Sequence, residues 1–187
     1  MEEEVQLYLE ETEEKMQNSI SHLENQLSKI RAGKATPGML DGISVDYYGT
    51  ITPLSQVSNI NTPDSKSILV QPWEKNMLSP IEKAILAANI GLTPMNNGEV
   101  IHISVPPLTE ERRFQLVKQA KSEGEDTKIG IRNSRKWAND EFKQLLKDGL
   151  SEDAEKDAVD KVQKLTDEYS KKVDDLVILK EKDILTI

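Results

Sequence analysis

No cysteine occurs among the 187 residues, which excludes disulfides and thiolate chemistry and fits a reducing compartment. Aromatic residues make up only 4%, too few for a surface built on base-stacking rings. No apolar run approaches the ~20 residues that span a bilayer. Met1-Glu2-Glu3-Glu4 is the reverse of a signal or transit peptide. Glycines are scattered, with no phosphate-cradling loop among them. The two histidines, His22 and His102, have no partner at metal or triad spacing. Acid pairs such as Asp174-Asp175 and Glu152-Asp153 sit in helical sequence and read as solvated surface, whereas general acid–base work requires burial to separate pKa values. The expectation is a soluble, cytoplasmic, monomeric protein that is not an enzyme and needs neither metal nor cofactor.

What is present is charge, unevenly placed. The chain carries a formal −9, yet Arg112, Arg113, Lys118, Lys121, Lys128, Arg132, Arg135 and Lys136 share one short run with only Glu123, Glu125 and Asp126. A concentrated basic element in an acidic protein points to an anionic partner. At ~100° per residue of helix, Lys118, Lys121, Lys128, Arg132, Arg135, Lys136, Lys143 and Lys147 fall within roughly a third of the circumference. Ala120, Gly124, Ile131, Ala138, Phe142 and Leu145 fill the neighbouring sector, and Glu123, Asp126, Asp140, Glu141 and Asp148 take the third. A helix needing only solubility interleaves its signs and gains i,i+4 pairs. Like charges stacked on one stripe indicate a binding face.

The organisation is helical sequence flanking a β-rich insert. In residues 1–31, Leu9, Met16, Leu23 and Ile30 recur every seven residues, with Ile20 and Leu27 between them, the seam of a packed helix. Gly33 followed by Thr36-Pro37-Gly38 predicts the helix stop. Over 32–104 alternation replaces heptads. Strands are expected at Ile43–Tyr47, Thr50–Thr52, Ile68–Val70 and Val100–Ile103. One helix is expected with Ser79 as cap, Pro80 at its first position, Ile81, Ile85 and Leu86 inward, and Gly91 as terminator. After Pro106-Pro107, Thr109 opens a helix running to about Lys147. Ser151 opens another, with Val159, Val162, Tyr169, Val173 and Leu176 as its apolar stripe. Three amphipathic helices predict one three-helix bundle, 1–31 with 105–187. The two crossings into the insert, Arg31-Ala32-Gly33 and Val105-Pro106-Pro107, read as a directed hinge. On these residues alone, a helical adaptor or chaperone-like module that holds an acidic protein partner fits equally well.

Specific strings go further. Lys29-Ile30-Arg31-Ala32-Gly33-Lys34-Ala35-Thr36-Pro37, Leu40-Asp41-Gly42-Ile43, Tyr47-Tyr48-Gly49-Thr50, Pro106-Pro107-Leu108-Thr109-Glu110-Glu111-Arg112-Arg113, Ile131-Arg132-Asn133-Ser134-Arg135 and Val162-Gln163-Lys164-Leu165-Thr166-Asp167 run in order along essentially the whole chain. Together they resemble the signature of bacterial-type ribosome recycling factors. The resemblance implies an α+β protein of L-shaped, tRNA-like outline: a three-helix bundle and a β/α/β domain joined at a flexible corner. It implies binding to the post-termination ribosome through large-subunit ribosomal RNA. Splitting into subunits then requires elongation factor G and the GTP that this partner hydrolyses.

By the same resemblance Arg132 corresponds to the principal RNA-contacting arginine, with Lys128 and Arg135 on its face. Arg113, Lys121 and Lys136 complete the expected RNA-binding set. The chain departs from the family pattern in three places, one of them a pair of residues. Lys128 stands where arginine is common, keeping charge but losing the bidentate fork. Gly130 replaces a commoner alanine at about 1 kcal/mol of helix stability. Lys136-Trp137 places an aromatic ring beside the stripe, available for base stacking or for helix packing.

Overall fold

The computed structural model describes residues 1–186. The chain forms two compact units: Met1–Ala32 with the chain from Glu110 onward, and Gly33–Thr109.

The first unit is three helices, each packed against the other two. Helix α1 spans Glu2–Lys29, with Glu2, Glu3 and Glu4 at its positive end and Lys29 at its negative end. The heptad seam is its buried face: Leu9, Met16, Ile20, Leu23 and Leu27, with Ile30 buried just beyond. The helix stops before Gly33 is reached, because Ile30 turns extended (φ −79°, ψ 104°). Gly33 has φ +72° and serves a different purpose, a close approach to Leu108 whose Cγ lies 2.5 Å from where a Cβ would stand.

Helix α3 spans Glu110–Lys147 and buries Ala120, Gly124, Ile131, Ala138, Phe142 and Leu145, the sector next to the basic stripe. Gly149 (φ +114°) closes it. The Leu150 N–H donates to the Leu145 carbonyl (2.9 Å) and the Gly149 N–H to Leu146 (3.2 Å), the paired bonds of a Schellman ending. Helix α4, Glu152–Leu185, begins where the Ser151 hydroxyl accepts from the Ala154 N–H. Val162, Tyr169 and Val173 are buried, while Val159 and Leu176 are only half-buried. Ala158, Thr166 and Ile184 complete the buried face.

Three core positions are threonines, which a search for apolar periodicity passes over. Thr12, Thr127 and Thr166 each donate a hydroxyl hydrogen bond to the carbonyl four residues earlier, at Tyr8, Glu123 and Val162. That local bond satisfies the hydroxyl without a partner from another helix.

The second unit holds six strands and one α-helix. β1 (Ser44–Tyr47) and β2 (Thr50–Pro53) form an antiparallel hairpin. β3 (Ser58–Asp64), β4 (Ser67–Pro72), β5 (Thr93–Asn96) and β6 (Ile101–Ser104) form an antiparallel sheet in the order β3-β4-β6-β5. The central strands are those with apolar alternation, Ile68/Val70 and Ile101/Ile103, all fully buried. The edges, β3 and β5, were not anticipated. Both are polar and both contain proline, which an edge strand tolerates because one side of its ladder is unpaired.

Helix α2, Leu78–Ala87, covers this core with Leu78, Ile81 and Ile85. Its start differs from expectation: a 3-10 turn at Lys75–Met77 leads in, and Ser79 lies inside the first turn instead of capping it. Leu86 is also not inward, being 55% exposed. Both ends of the insert are tied to one turn, between β3 and β4. The Ala35 N–H donates to Ser65 (2.8 Å) and the Val105 N–H to Lys66 (2.7 Å). Val105, expected as part of a hinge, is buried in the insert's core. Among the described residues no helix is long and apolar enough to cross a membrane.

Candidate nucleic-acid interface

The 38 residues of α3 present the basic run on a rod of about 57 Å. Seven of its cations form two rows. Arg132, Lys118, Lys136 and Lys143 lie within about 40° of one another and are exposed. Among the described residues, none of the four makes an ion pair or a side-chain hydrogen bond. Lys121, Lys128 and Arg135 lie about 20–60° to the other side, along the seam with α4, and each has a partner there.

Lys128 Nζ is 2.5 Å from Asp174 Oδ1, and Lys121 Nζ is 3.7 Å from Glu181 Oε1. Arg135 Nη1 donates to Gln163 Oε1 (3.2 Å), and Gln163 Nε2 donates in turn to Asp167 Oδ1 (2.9 Å). The cations recur every seven residues along α3, and Glu181, Asp174 and Asp167 recur every seven in the opposite direction along α4. Antiparallel helices with matched repeats put such residues opposite one another. Asp174 is therefore not merely solvated surface. The helical wheel of α3 alone could not reveal this, because the compensating charge lies on another helix.

Arg113 does not join either row. Nineteen residues from Arg132, it sits about 100° round the helix, half-buried, with its Nε buried and without a hydrogen-bond partner. Trp137 is also off the stripe. Its ring meets Tyr8 edge-on (centroids 5.7 Å apart), and Lys15 Nζ stands 3.1 Å from its centroid. The ring is committed to packing α3 on α1, with a cation–π contact over its face. Two apolar residues that the charge pattern did not single out do share the exposed face. Phe114 is in phase with Arg132 five turns earlier, and Ile129 is about 60° away; both are exposed. Their signal in the sequence was helical phase, obscured by the surrounding charge.

Two helices approach closely at this face. A Cβ on Gly124 would lie 2.6 Å from Val177 Cγ2 and 3.7 Å from Val173 Cγ1. The missing side chain lets α4 come near enough for its carboxylates to reach the α3 lysines. Histidines contribute nothing comparable: His22 is exposed on α1 beside Gln26 (3.4 Å), and His102 is exposed on β6. Within the insert, Glu74 collects two phenols. Tyr47 and Tyr48 donate to its Oε1 and Oε2 at 2.8 and 2.7 Å. Those bonds, Tyr48's first, hold the Glu74 carboxyl below its ordinary pKa. The bond to Glu74, followed by burial, pushes the Tyr47 phenol above its own.

A sequence model of the family described as "Ribosome recycling factor" matches residues 23–185. The chain is 62% identical to the ribosome-recycling factor of Flavobacterium johnsoniae over 187 residues, with all of both chains covered. It is 54% identical to that of Cytophaga hutchinsonii over 185 residues, covering 99% of this chain and 100% of the relative. Among solved structures, a solution structure of the ribosome recycling factor aligns with TM-score 0.72 at 34% identity, covering 98% of each chain. A second has TM-score 0.59 at 42% identity, covering 97% of this chain and 98% of the other. It is one of the models for the T. thermophilus ribosome recycling factor and the E. coli elongation factor G bound to the E. coli post-termination complex. A match over most of the chain, in order and across both units, identifies the whole protein and not one shared module: the chain belongs to the ribosome recycling factor family.

Proposed function

We propose that the protein recycles ribosomes after termination. It docks on large-subunit ribosomal RNA through α3, and with elongation factor G and GTP it promotes separation of the subunits. The observation that carries the docking half is the state of Arg132: exposed, on the open row, and free of protein partners among the described residues. A guanidinium held ready in this way offers a phosphate two parallel charge-assisted bonds. Lys118, Lys136 and Lys143 extend the positive row on either side of it. Phosphate and groove shape, more than base sequence, are what such a row recognises.

The splitting half assigns the crossings a mechanical role. In this reading Arg31, Ala32, Gly33, Pro106 and Pro107 act as the hinge that passes a push on the insert to the bundle. The hydrogen bonds of Ala35 and Val105 to the β3–β4 turn support taking the insert as a body that begins inside those two residues. The test is a light-scattering assay on post-termination ribosomes. Dissociation is expected only when the protein, elongation factor G and GTP are all present. Dissociation at the same rate without the protein, or none with all three, contradicts the proposal.

A further inference from the structure

From the matched ladder on α3 and α4 we infer that Asp174 and Glu181 are specificity-determining residues: built-in counter-ions that narrow the RNA-binding face to the row centred on Arg132. The inference rests on the docking role proposed for α3. Lys128 is enclosed, its side chain 20% exposed, with Asp174 at 2.5 Å and Glu125 at 3.9 Å. Lys121 is 62% exposed, but Glu181, at 3.7 Å, is only 24% exposed and stays beside it. A polyanion that tries to use these lysines must first displace a carboxylate that no ion has to diffuse in to replace. One that centres on Arg132 meets only Glu125, two turns away, exposed and 3.9 Å from Lys128.

Nonspecific affinity for nucleic acid follows the number of cations that release counter-ions from the strand. A ladder that withholds two lysines therefore lowers binding to arbitrary RNA. It does so at little cost to a surface whose phosphates match the open row. Like charges on one side of a helix would otherwise attract any polyanion of the cell. The third rung is graded differently. Arg135 meets the neutral amide of Gln163, with Asp167 one bond further on, so its charge is oriented more than it is cancelled.

The test compares wild type with the Asp174→Asn/Glu181→Gln double variant, binding poly(U) and purified large ribosomal subunits over a range of salt. Two freed lysines at ~0.7 released ions each steepen the poly(U) salt dependence by about 1.4, on the order of tenfold tighter binding at 0.1 M salt. Large-subunit binding is expected to tighten by less than roughly threefold, so selectivity falls. The same two substitutions are then made in a Lys121→Ala/Lys128→Ala background, where the poly(U) gain should vanish. No gain for poly(U), an equal gain for large subunits, or a gain that persists without the lysines each overturns the inference. Wild-type protein that binds large subunits without salt sensitivity removes the docking role itself, and the inference with it.

Discussion

Gly124 on α3 faces Val177 on α4 so closely that a Cβ would stand 2.6 Å from a valine methyl. Alanine raises helix propensity by about 1 kcal/mol over glycine, but overpacking costs ~1–3 kcal/mol, and valine is stiff about χ1. Gly124→Ala is therefore expected to destabilise the protein, by on the order of 1 kcal/mol, in chemical denaturation. Adding Val177→Ala should reverse the clash part of that loss. A Gly124→Ala protein more stable than wild type would show that the two helices slide apart freely.

Gly130 on the same helix should respond in the opposite sense. Its nearest neighbour would be Ser19 Oγ at 3.6 Å, an ordinary contact. Gly130→Ala is expected to stabilise by up to about 1 kcal/mol, seen as a higher midpoint in urea with an unchanged slope. The pair of variants separates helix propensity from helix approach.

Gly33 cannot be stiffened by proline as a probe of the proposed hinge, because its φ of +72° is out of reach of a ring fixed near −65°. Gly33→Ala is the informative change. It meets both left-handed backbone strain of ~1–2 kcal/mol and the Leu108 side chain at 2.5 Å. Thermal unfolding should register a loss that Leu108→Ala relieves only in part. Full relief would mean that the backbone conformation carries no strain.

The Tyr47–Glu74–Tyr48 cluster predicts a pH dependence. Glu74 has a folded-state pKa below its unfolded value. Its stabilising contribution is therefore complete above the ordinary carboxylate range and is lost as pH falls through the lowered value. The stability difference between wild type and Glu74→Gln should be present at neutral pH and vanish in acid. Since the bond to Glu74 is also what raises the Tyr47 phenol, that substitution should bring one tyrosine to ionise at lower pH in an absorbance titration. An unmoved phenol would remove the cluster from the account.

Much of this architecture is legible in the sequence because it is written in apolar period. The α1 seam, the buried sector of α3 and the two central strands of the sheet follow from it. What escaped was set by groups that carry no apolar signal. The edge strands β3 and β5 are polar because edges face water, and the core threonines are satisfied by their own helix. The start of α2 depends on a 3-10 turn that replaces the expected serine cap. For the interface, the positive stripe was visible as helical phase. Its division into open and compensated rows was not, since Asp174 and Glu181 lie some fifty residues away along the chain and meet α3 only when the bundle folds. Arg113 was grouped with the stripe by proximity in sequence, although helical geometry turns it aside.

The most direct measurement of the central claim is the affinity of Arg132→Ala for purified large ribosomal subunits, titrated across salt alongside wild type. Removing one charge-assisted contact to phosphate is expected to cost ~1.5–3 kcal/mol, roughly 10- to 150-fold in affinity. The salt slope should become shallower by about one ion, while the thermal stability of this exposed position stays unchanged. A variant that binds large subunits as tightly as wild type, with the same salt slope, would contradict docking through the α3 row.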